Sequence, residues 1–296
     1  MERKIPVGFI GGGHMAEALI QGLLISRTIA PGECWVCDIV EERLIHLKKK
    51  FGIKAIKEAS QLLVSSRAII LAVKPQNVSK ALQSLAPNWS QDRLLISIAA
   101  GIPMSYLAQF FTKTPRLIRV MPNTPALVLA GMSALAKNSA AKEEDLELAE
   151  RLFKAVGETV RVDESQMDAV TGLSGSGPAY VLTFLEGLAD AGVKMGLPRA
   201  LALKLALQTV WGSAQMARSL DIRLGQLKEM VTSPGGTTIA GLHTLEKAGL
   251  RGILMDAVEA ATQRSRELRE LLIKENPSSR KGKGVDKSKK RAKKDR

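Results

Sequence analysis

Residues 9–22 read FIGGGHMAEALIQG. A β-branched and aromatic run, Val7–Ile10, feeds three glycines, and an amphipathic pattern begins at once after them. The spacing Gly11-x-Gly13-x-x-Ala16 lies between that strand and that helix. In such a place the first glycine permits the tight turn. The second lets a phosphate approach the backbone, and the small third residue keeps helix and strand close. The positive end of the helix then suits a pyrophosphate. The stretch predicts a dinucleotide-binding α/β fold, the alternative being a plain glycine turn.

Working outward, strands are expected at Trp35–Cys37, Ala68–Val73, Leu94–Ile98, Leu117–Val120, Ser133–Ala136 and Thr159–Arg161. Helical patterns alternate with them at Ala16–Leu24, Glu41–Phe51, Asn77–Leu85, Ser105–Phe110 and Glu143–Ala155. Alternation of this kind predicts a mostly parallel, doubly wound sheet covered on both faces, a Rossmann domain. AIILAV is apolar throughout, as a strand buried on both faces should be.

After residue 163 strand signals stop. Helical patterns follow at Asp168–Leu173, Pro178–Met195, Arg199–Arg218, Gly225–Val231, Thr237–Ala248 and Gly252–Lys274. The expected division is 1–163 for dinucleotide binding, 164–275 for an all-α dimerisation and substrate domain, and 276–296 for a disordered basic tail. The small-residue face of GPAYVLTFLEGLADAGVKMG (177–196) permits close helix packing, either within one chain or against a second copy.

The chain has 296 residues, 45% hydrophobic and 24% charged, which suits a globular protein rather than a disordered one. Its formal charge of +14 is concentrated: residues 276–296 hold ten Lys/Arg against two Asp/Glu. That weakens a chain-wide case for nucleic-acid binding and leaves non-specific polyanion contact to the tail. No signal peptide or membrane-length apolar run is recognised, so a cytoplasmic location is expected. Cys34 and Cys37 fall on one strand, three apart, and so point to opposite faces. They are not expected to share a disulfide or a metal, and no metal site is expected elsewhere.

Three strand-end loops extend the site. Asp38 ends the second strand and can accept hydrogen bonds from ribose hydroxyls, which favours NADH; its alternative role is a helix cap. Arg43 and Lys48 to Lys50 downstream could instead neutralise the 2′-phosphate of NADPH. In LAVKP (71–75), Ala72 to Pro75 are assigned to the cofactor, with the Val73 and Lys74 backbone on the nicotinamide side. SIAAG (97–101) and RVMPNTPA (119–126) follow, the latter holding Asn123 and Thr124 between two prolines.

TSPGGTT (232–238) breaks a helical pattern with Pro-Gly-Gly framed by hydroxyl residues. A helix opening near Thr237 would offer free N–H groups to a carboxylate. Strong acid–base groups are absent: no Ser/His/Asp arrangement has suggestive spacing, and Glu186 with Asp190 reads as a solvated helix face. Hydride transfer to a polarised C=N bond needs little beyond alignment and a nearby donor.

Together FIGGGHMA, LAVKP, RVMPNTPA, TGLSGSGPAY, GVKMGLPR and MVTSPGGTTIAGLHTLE resemble the pyrroline-5-carboxylate reductase family, in order and spacing, from about Val7 to Leu271. The resemblance implies reduction of 1-pyrroline-5-carboxylate to L-proline by NADPH or NADH, the last step of proline biosynthesis. It also implies an interlocked homodimer, often assembled into a homodecamer. Cofactor contacts carry over to Gly12, His14, Met15, Val73, Lys74 and Ala99, beside the fingerprint's Gly11 and Gly13, and more loosely to Asn123 and Thr124. Substrate contacts carry over to Ser233, Gly236, Thr237 and Thr238, with Glu164 and the close-approach glycine Gly235. Thr238 is the expected proton relay. Asp38 departs from the Ser, Thr or Arg common in members that prefer NADPH, and KEASQ (57–61) lacks an Asn that many carry. A related imine or 3-hydroxyacid reductase, or a silent dinucleotide-binding scaffold, are the competing readings.

Overall fold

The computed structural model describes residues 6–274. The basic segment 276–296 lies outside the described residues. Eight strands form one sheet: β1 (Val7–Ile10), β2 (Cys34–Cys37), β3 (Lys54–Ile56), β4 (Ala68–Leu71), β5 (Leu94–Ser97), β6 (Arg116–Pro122), β7 (Gly131–Lys137) and β8 (Gly157–Arg161). Their order is β3-β2-β1-β4-β5-β6-β7-β8. Every pair is parallel except β6 with β7. The winding reverses at β1, whose two neighbours are β2 and β4, and ligands of such sheets bind beyond the strand carboxyl ends at that point.

The helices of this half are α1 (His14–Ile25), α2 (Glu41–Phe51), α3 (Ser60–Ser65), α4 (Val78–Leu85), α5 (Met104–Ala108) and α6 (Glu143–Lys154). Strand alternation distributes side chains to two cores. Phe9, Val36 and Ile70 pack on one face with Leu19, Leu23, Leu47 and Phe153. Ile10, Ile69 and Leu71 pack on the other with Leu62, Leu82, Leu85 and Leu107. Cys34 belongs to the first core and Cys37 to the second, and both thiols are free. Burial pushes the Cys34 thiol up to about 12; burial, then the Asp38 charge, pushes Cys37 up to about 11.

Two short elements carry no signal in the sequence. β3 is an edge strand of three residues, too short to show a period. It is held by its ladder to β2 and by Lys54 lying 4.2 Å from the Trp35 ring. The six-residue α3 follows it.

Beyond β8 the described chain is helical: α7 (Met167–Val170), α8 (Gly177–Lys194), α9 (Arg199–Ser219), α10 (Leu224–Glu229), α11 (Thr237–Lys247) and α12 (Leu250–Lys274). The expected helix at Asp168–Leu173 differs. After α7 the chain widens into a π turn over Thr171–Gly175. Gly172 is pressed there onto α12, where an added Cβ would lie 2.2 Å from Thr262 Oγ1 and 2.7 Å from the Val258 carbonyl. Asp168 fastens the junction, accepting from Ser265 Oγ at 2.8 Å and Arg269 Nη1 at 2.6 Å.

The helical half has little core of its own. Leu185, Ala189 and Ala206 form a small buried cluster between α8 and α9. Phe184, Leu188, Leu203, Leu207 and Trp211 stay exposed on the same helices, Trp211 by 63%. An apolar surface of that extent belongs to an interface.

Candidate functional site

The parallel registers align Ile10, Cys37, Leu71 and Ser97, so the loops after β1, β2, β4 and β5 emerge side by side. β6 continues past this line to Pro122 and delivers Asn123 at the same end. Sequence-distant residues 11–13, 38, 72–75, 99 and 123–124 are thereby gathered at one sheet edge.

Gly11 makes the turn. Its φ is +97°, its N–H donates to the Cys37 carbonyl at 2.8 Å, and a Cβ there would stand 2.6 Å from the Ala72 carbonyl oxygen. Gly12 is buried and donates to Asp38 Oδ2 at 2.5 Å. Asp38 Oδ1 accepts from the Val40 N–H at 2.8 Å, so the carboxylate both braces the glycine loop and shapes the turn into α2. Gly13 is the exposed N-cap of α1, with nothing within 4 Å of where a Cβ would project. No side chain caps α1, which leaves its first N–H groups facing that space. His14 is exposed and Met15 half-buried beside it.

Ala72 and Val73 leave β4 half-buried, Lys74 is extended and exposed, and Pro75 opens a 3₁₀ turn. Ala99 is 4% exposed and accepts from the Ile102 N–H. Asn123 serves as a clasp. Its Oδ1 accepts from Met132 N–H at 2.8 Å, and its Nδ2 donates to the Ser174 carbonyl at 3.2 Å. Thr124 is exposed next to it.

Glu164 is occupied by the scaffold: Oε1 accepts from Met104 N–H at 2.6 Å and from Arg119 Nη1 at 3.2 Å. Arg119 is 4% exposed on β6. Burial lowers its pKa, against the attraction of Glu164 and Asp168. An arginine within LIRVM was a readable signal, because a buried cation needs a buried partner.

Glu17, on the first turn of α1, has no distinguishing signal in the sequence, since an acid is routine near a helix N-terminus. It gathers three side chains from α2: Arg43 Nη2 at 2.6 Å, His46 Nε2 at 2.9 Å and Lys50 Nζ at 2.9 Å. Burial raises its pKa, but the bonds from His46, Arg43 and Lys50 prevail and bring it from 4.5 to about 2. A carboxyl depressed in the folded state stabilises fully above its unfolded value, and that stabilisation is lost as pH falls from about 4.5 through about 2. The advantage of the native chain over Glu17→Gln, read as the urea midpoint, is therefore expected to be largest at neutral pH and to shrink towards pH 2. A gap independent of pH would show that Glu17 contributes no ionic stabilisation.

TSPGGTT stands on the helical half. α11 begins at Thr237 with Gly236 as N-cap, and no side chain caps it. Gly235 takes φ +66°. Gly236 N–H donates to the Ser233 carbonyl, and a Cβ on Gly236 would lie 2.3 Å from Ser233 Oγ. Ser233, Gly235 and Thr237 are exposed; Gly236 and Thr238 are half-buried. Among the described residues, no hydrogen bond or ion pair joins 233–238 to the strand-end loops. The glycine-loop half of the expected site is gathered by the sheet, and TSPGGTT is carried by the helical half.

Residues 164–268 match the family model for pyrroline-5-carboxylate reductase dimerisation. Residues 6–101 match the model described as NADP oxidoreductase coenzyme F420-dependent. A pyrroline-5-carboxylate reductase of Methanosarcina acetivorans is 45% identical over 262 residues, 88% of this chain and 97% of that protein. Among solved structures, a pyrroline-5-carboxylate reductase from Coxiella burnetii superposes with a TM-score of 0.85 at 34% identity, covering 90% of this chain and 99% of the other. The pyrroline carboxylate reductase of Plasmodium falciparum with NADP bound gives 0.81 at 35% identity, covering 90% and 98%. With these identities sustained over nearly the whole of each relative, the chain belongs to the pyrroline-5-carboxylate reductase family.

Proposed function

We propose that this chain reduces 1-pyrroline-5-carboxylate to L-proline with NADPH or NADH as hydride donor, the last step of proline biosynthesis. The observation that carries it is the cradle at Gly13: an open space above the uncapped N-terminus of α1, at the carboxyl edge of the sheet where the winding reverses. A Cβ would fill that space, so the loop fits a dinucleotide pyrophosphate.

In this reading Gly11, Gly12, Gly13, His14 and Met15 hold the pyrophosphate, and Asp38 faces the adenosine ribose. Ala72, Val73, Lys74, Pro75 and Ala99 line the nicotinamide side, with Asn123 and Thr124 at its rim. The reduced nicotinamide, when bound, supplies a hydride to the imine carbon. The α11 N–H groups of Thr237 and Thr238, with Ser233, receive the substrate carboxylate, and Gly235 and Gly236 allow its close approach. The Thr238 hydroxyl hands a proton to the ring nitrogen and regains one from water. Glu164 sits behind the site and steadies the loop at Met104.

The proposed division of labour is 1–163 for the cofactor, 164–275 for substrate and dimerisation, and 276–296 as a basic tail; the last strand ending at Arg161 supports the first boundary. A second copy covers the exposed apolar face of α8 and α9, making a homodimer, and a homodecamer of five such pairs is the larger assembly proposed. The tail's charge supports non-specific polyanion contact. A cytoplasmic location is supported by two unpaired thiols. Among the described residues, no helix is long and apolar enough to cross a membrane.

The test follows NADH and NADPH oxidation by the purified protein, with and without 1-pyrroline-5-carboxylate. Oxidation that depends on the imine with either cofactor is expected. A folded protein that binds cofactor but shows no such turnover would instead be a dinucleotide-binding scaffold.

A further inference from the structure

Three basic side chains of one helix meet one carboxylate at the rim of the glycine loop. Arg43, His46 and Lys50 share a face of α2 through their spacing of three and four. All three reach Glu17, whose side chain is 15% exposed. Arg43 is bound twice: Nη2 donates to Glu17, and Nε donates to the Gly12 carbonyl at 2.8 Å. It is also the first basic residue after Asp38, separated from it by Glu41 and Glu42. Glu41 pairs only at the exposed surface, with Lys57 at 3.1 Å.

In dinucleotide folds the acid at the end of the second strand faces the ribose 2′ position, and an arginine nearby accommodates a 2′-phosphate. A guanidinium does so by paired, directional donation, and one held through Nε on the Gly12 carbonyl and through Nη2 on Glu17 is not free to turn its fork towards a phosphate. We propose that Glu17 is a specificity-determining residue of the cofactor site: it latches Arg43 onto the Gly12 carbonyl, so that NADPH is disfavoured relative to NADH. The charge left at the end of the second strand is then that of Asp38, with Glu41 and Glu42 following in sequence. The inference rests on the dinucleotide-site reading above and adds to it a residue outside the phosphate cradle.

Dissociation constants for NADH and NADPH, read from nicotinamide fluorescence in the absence of substrate, test it in four proteins: native, Glu17→Gln, Arg43→Gln and the double variant. Glu17→Gln is expected to raise the affinity for NADPH relative to NADH at least about threefold, as one negative charge leaves and Arg43 is freed. The double variant is expected to return to the native ratio. Arg43→Gln alone is expected to leave the ratio within about twofold, because a latched Arg43 does not serve the phosphate; this arm stands even if Glu17→Gln folds poorly. The latch is overturned by an unchanged or lowered ratio in Glu17→Gln, by a gain that survives loss of Arg43, or by a tenfold loss of NADPH binding in Arg43→Gln alone. Native protein binding neither dinucleotide would instead sink the cofactor-site reading itself.

Discussion

Gly11→Ala is expected to destabilise the protein by about 3 kcal/mol, within a range of roughly 2–5, while Gly13→Ala, two residues on, leaves stability nearly untouched and impairs only cofactor binding. At Gly11 two costs add. A side chain at φ +97° costs roughly 1–2 kcal/mol. Its Cβ would also stand 2.6 Å from the Ala72 carbonyl oxygen and 3.0 Å from Val73 Cγ1, an overlap worth roughly another 1–3 kcal/mol. The Ala72 backbone does not yield easily, since its N–H is bonded to the Ile10 carbonyl at 2.8 Å. The thermal midpoint should fall by about 6–12 °C. Gly13 has φ −68°, ordinary for any residue, and open space around its Cβ direction. A methyl group there projects into the cradle. We expect dinucleotide affinity to drop at least about tenfold, near 1.4 kcal/mol, with the melting temperature unchanged. Equal loss of stability in both variants would mean that the glycine loop is a turn and nothing more.

Thr238→Ala is expected to lower turnover by about one to two decades, the equivalent of roughly 1–3 kcal/mol for one hydrogen bond in the transition state. The cofactor dissociation constant should stay within about twofold. Thr238 lies in the first turn of α11, half-buried, and its hydroxyl has no partner among the described residues. Its removal therefore breaks no scaffold bond, in contrast to Thr232, whose hydroxyl donates to the Lys228 carbonyl at 2.7 Å. Turnover and cofactor affinity falling together would remove Thr238 from the proton-relay role. A rise in KM with kcat preserved would leave it as a carboxylate contact only.

Much of the fold was legible because its signals are local. Apolar runs at Val7–Ile10, Ala68–Leu71 and Leu94–Ser97 announce strands buried on both faces, and all three are buried throughout. The glycine fingerprint, the helix opening at Thr237 and the change of pattern after β8 were equally readable from neighbours along the chain. The opposite-facing cysteines followed from the two-residue period of a strand. β3 escaped because three residues carry no period, and the π turn because it depends on the pressure of α12 against Gly172.

What only the tertiary structure decided is which charged and polar side chains meet. Arg43 looked available to a 2′-phosphate, yet it is committed to Glu17, 26 residues away. Glu164 is expected at the substrate, and only the fold shows that its Oε1 also holds Met104 N–H and Arg119. Asn123 looked like part of the cofactor rim, and it clasps β7 to the turn at Ser174. Hydrophobic periodicity is set by the local backbone and survives in the sequence. Long polar side chains instead choose partners by proximity after the elements pack, and several partners compete for each. The sequence by itself determined every strand but β3, the glycine turn and the helix N-termini that offer N–H groups. Packing decided which of the surrounding charges remain free to act.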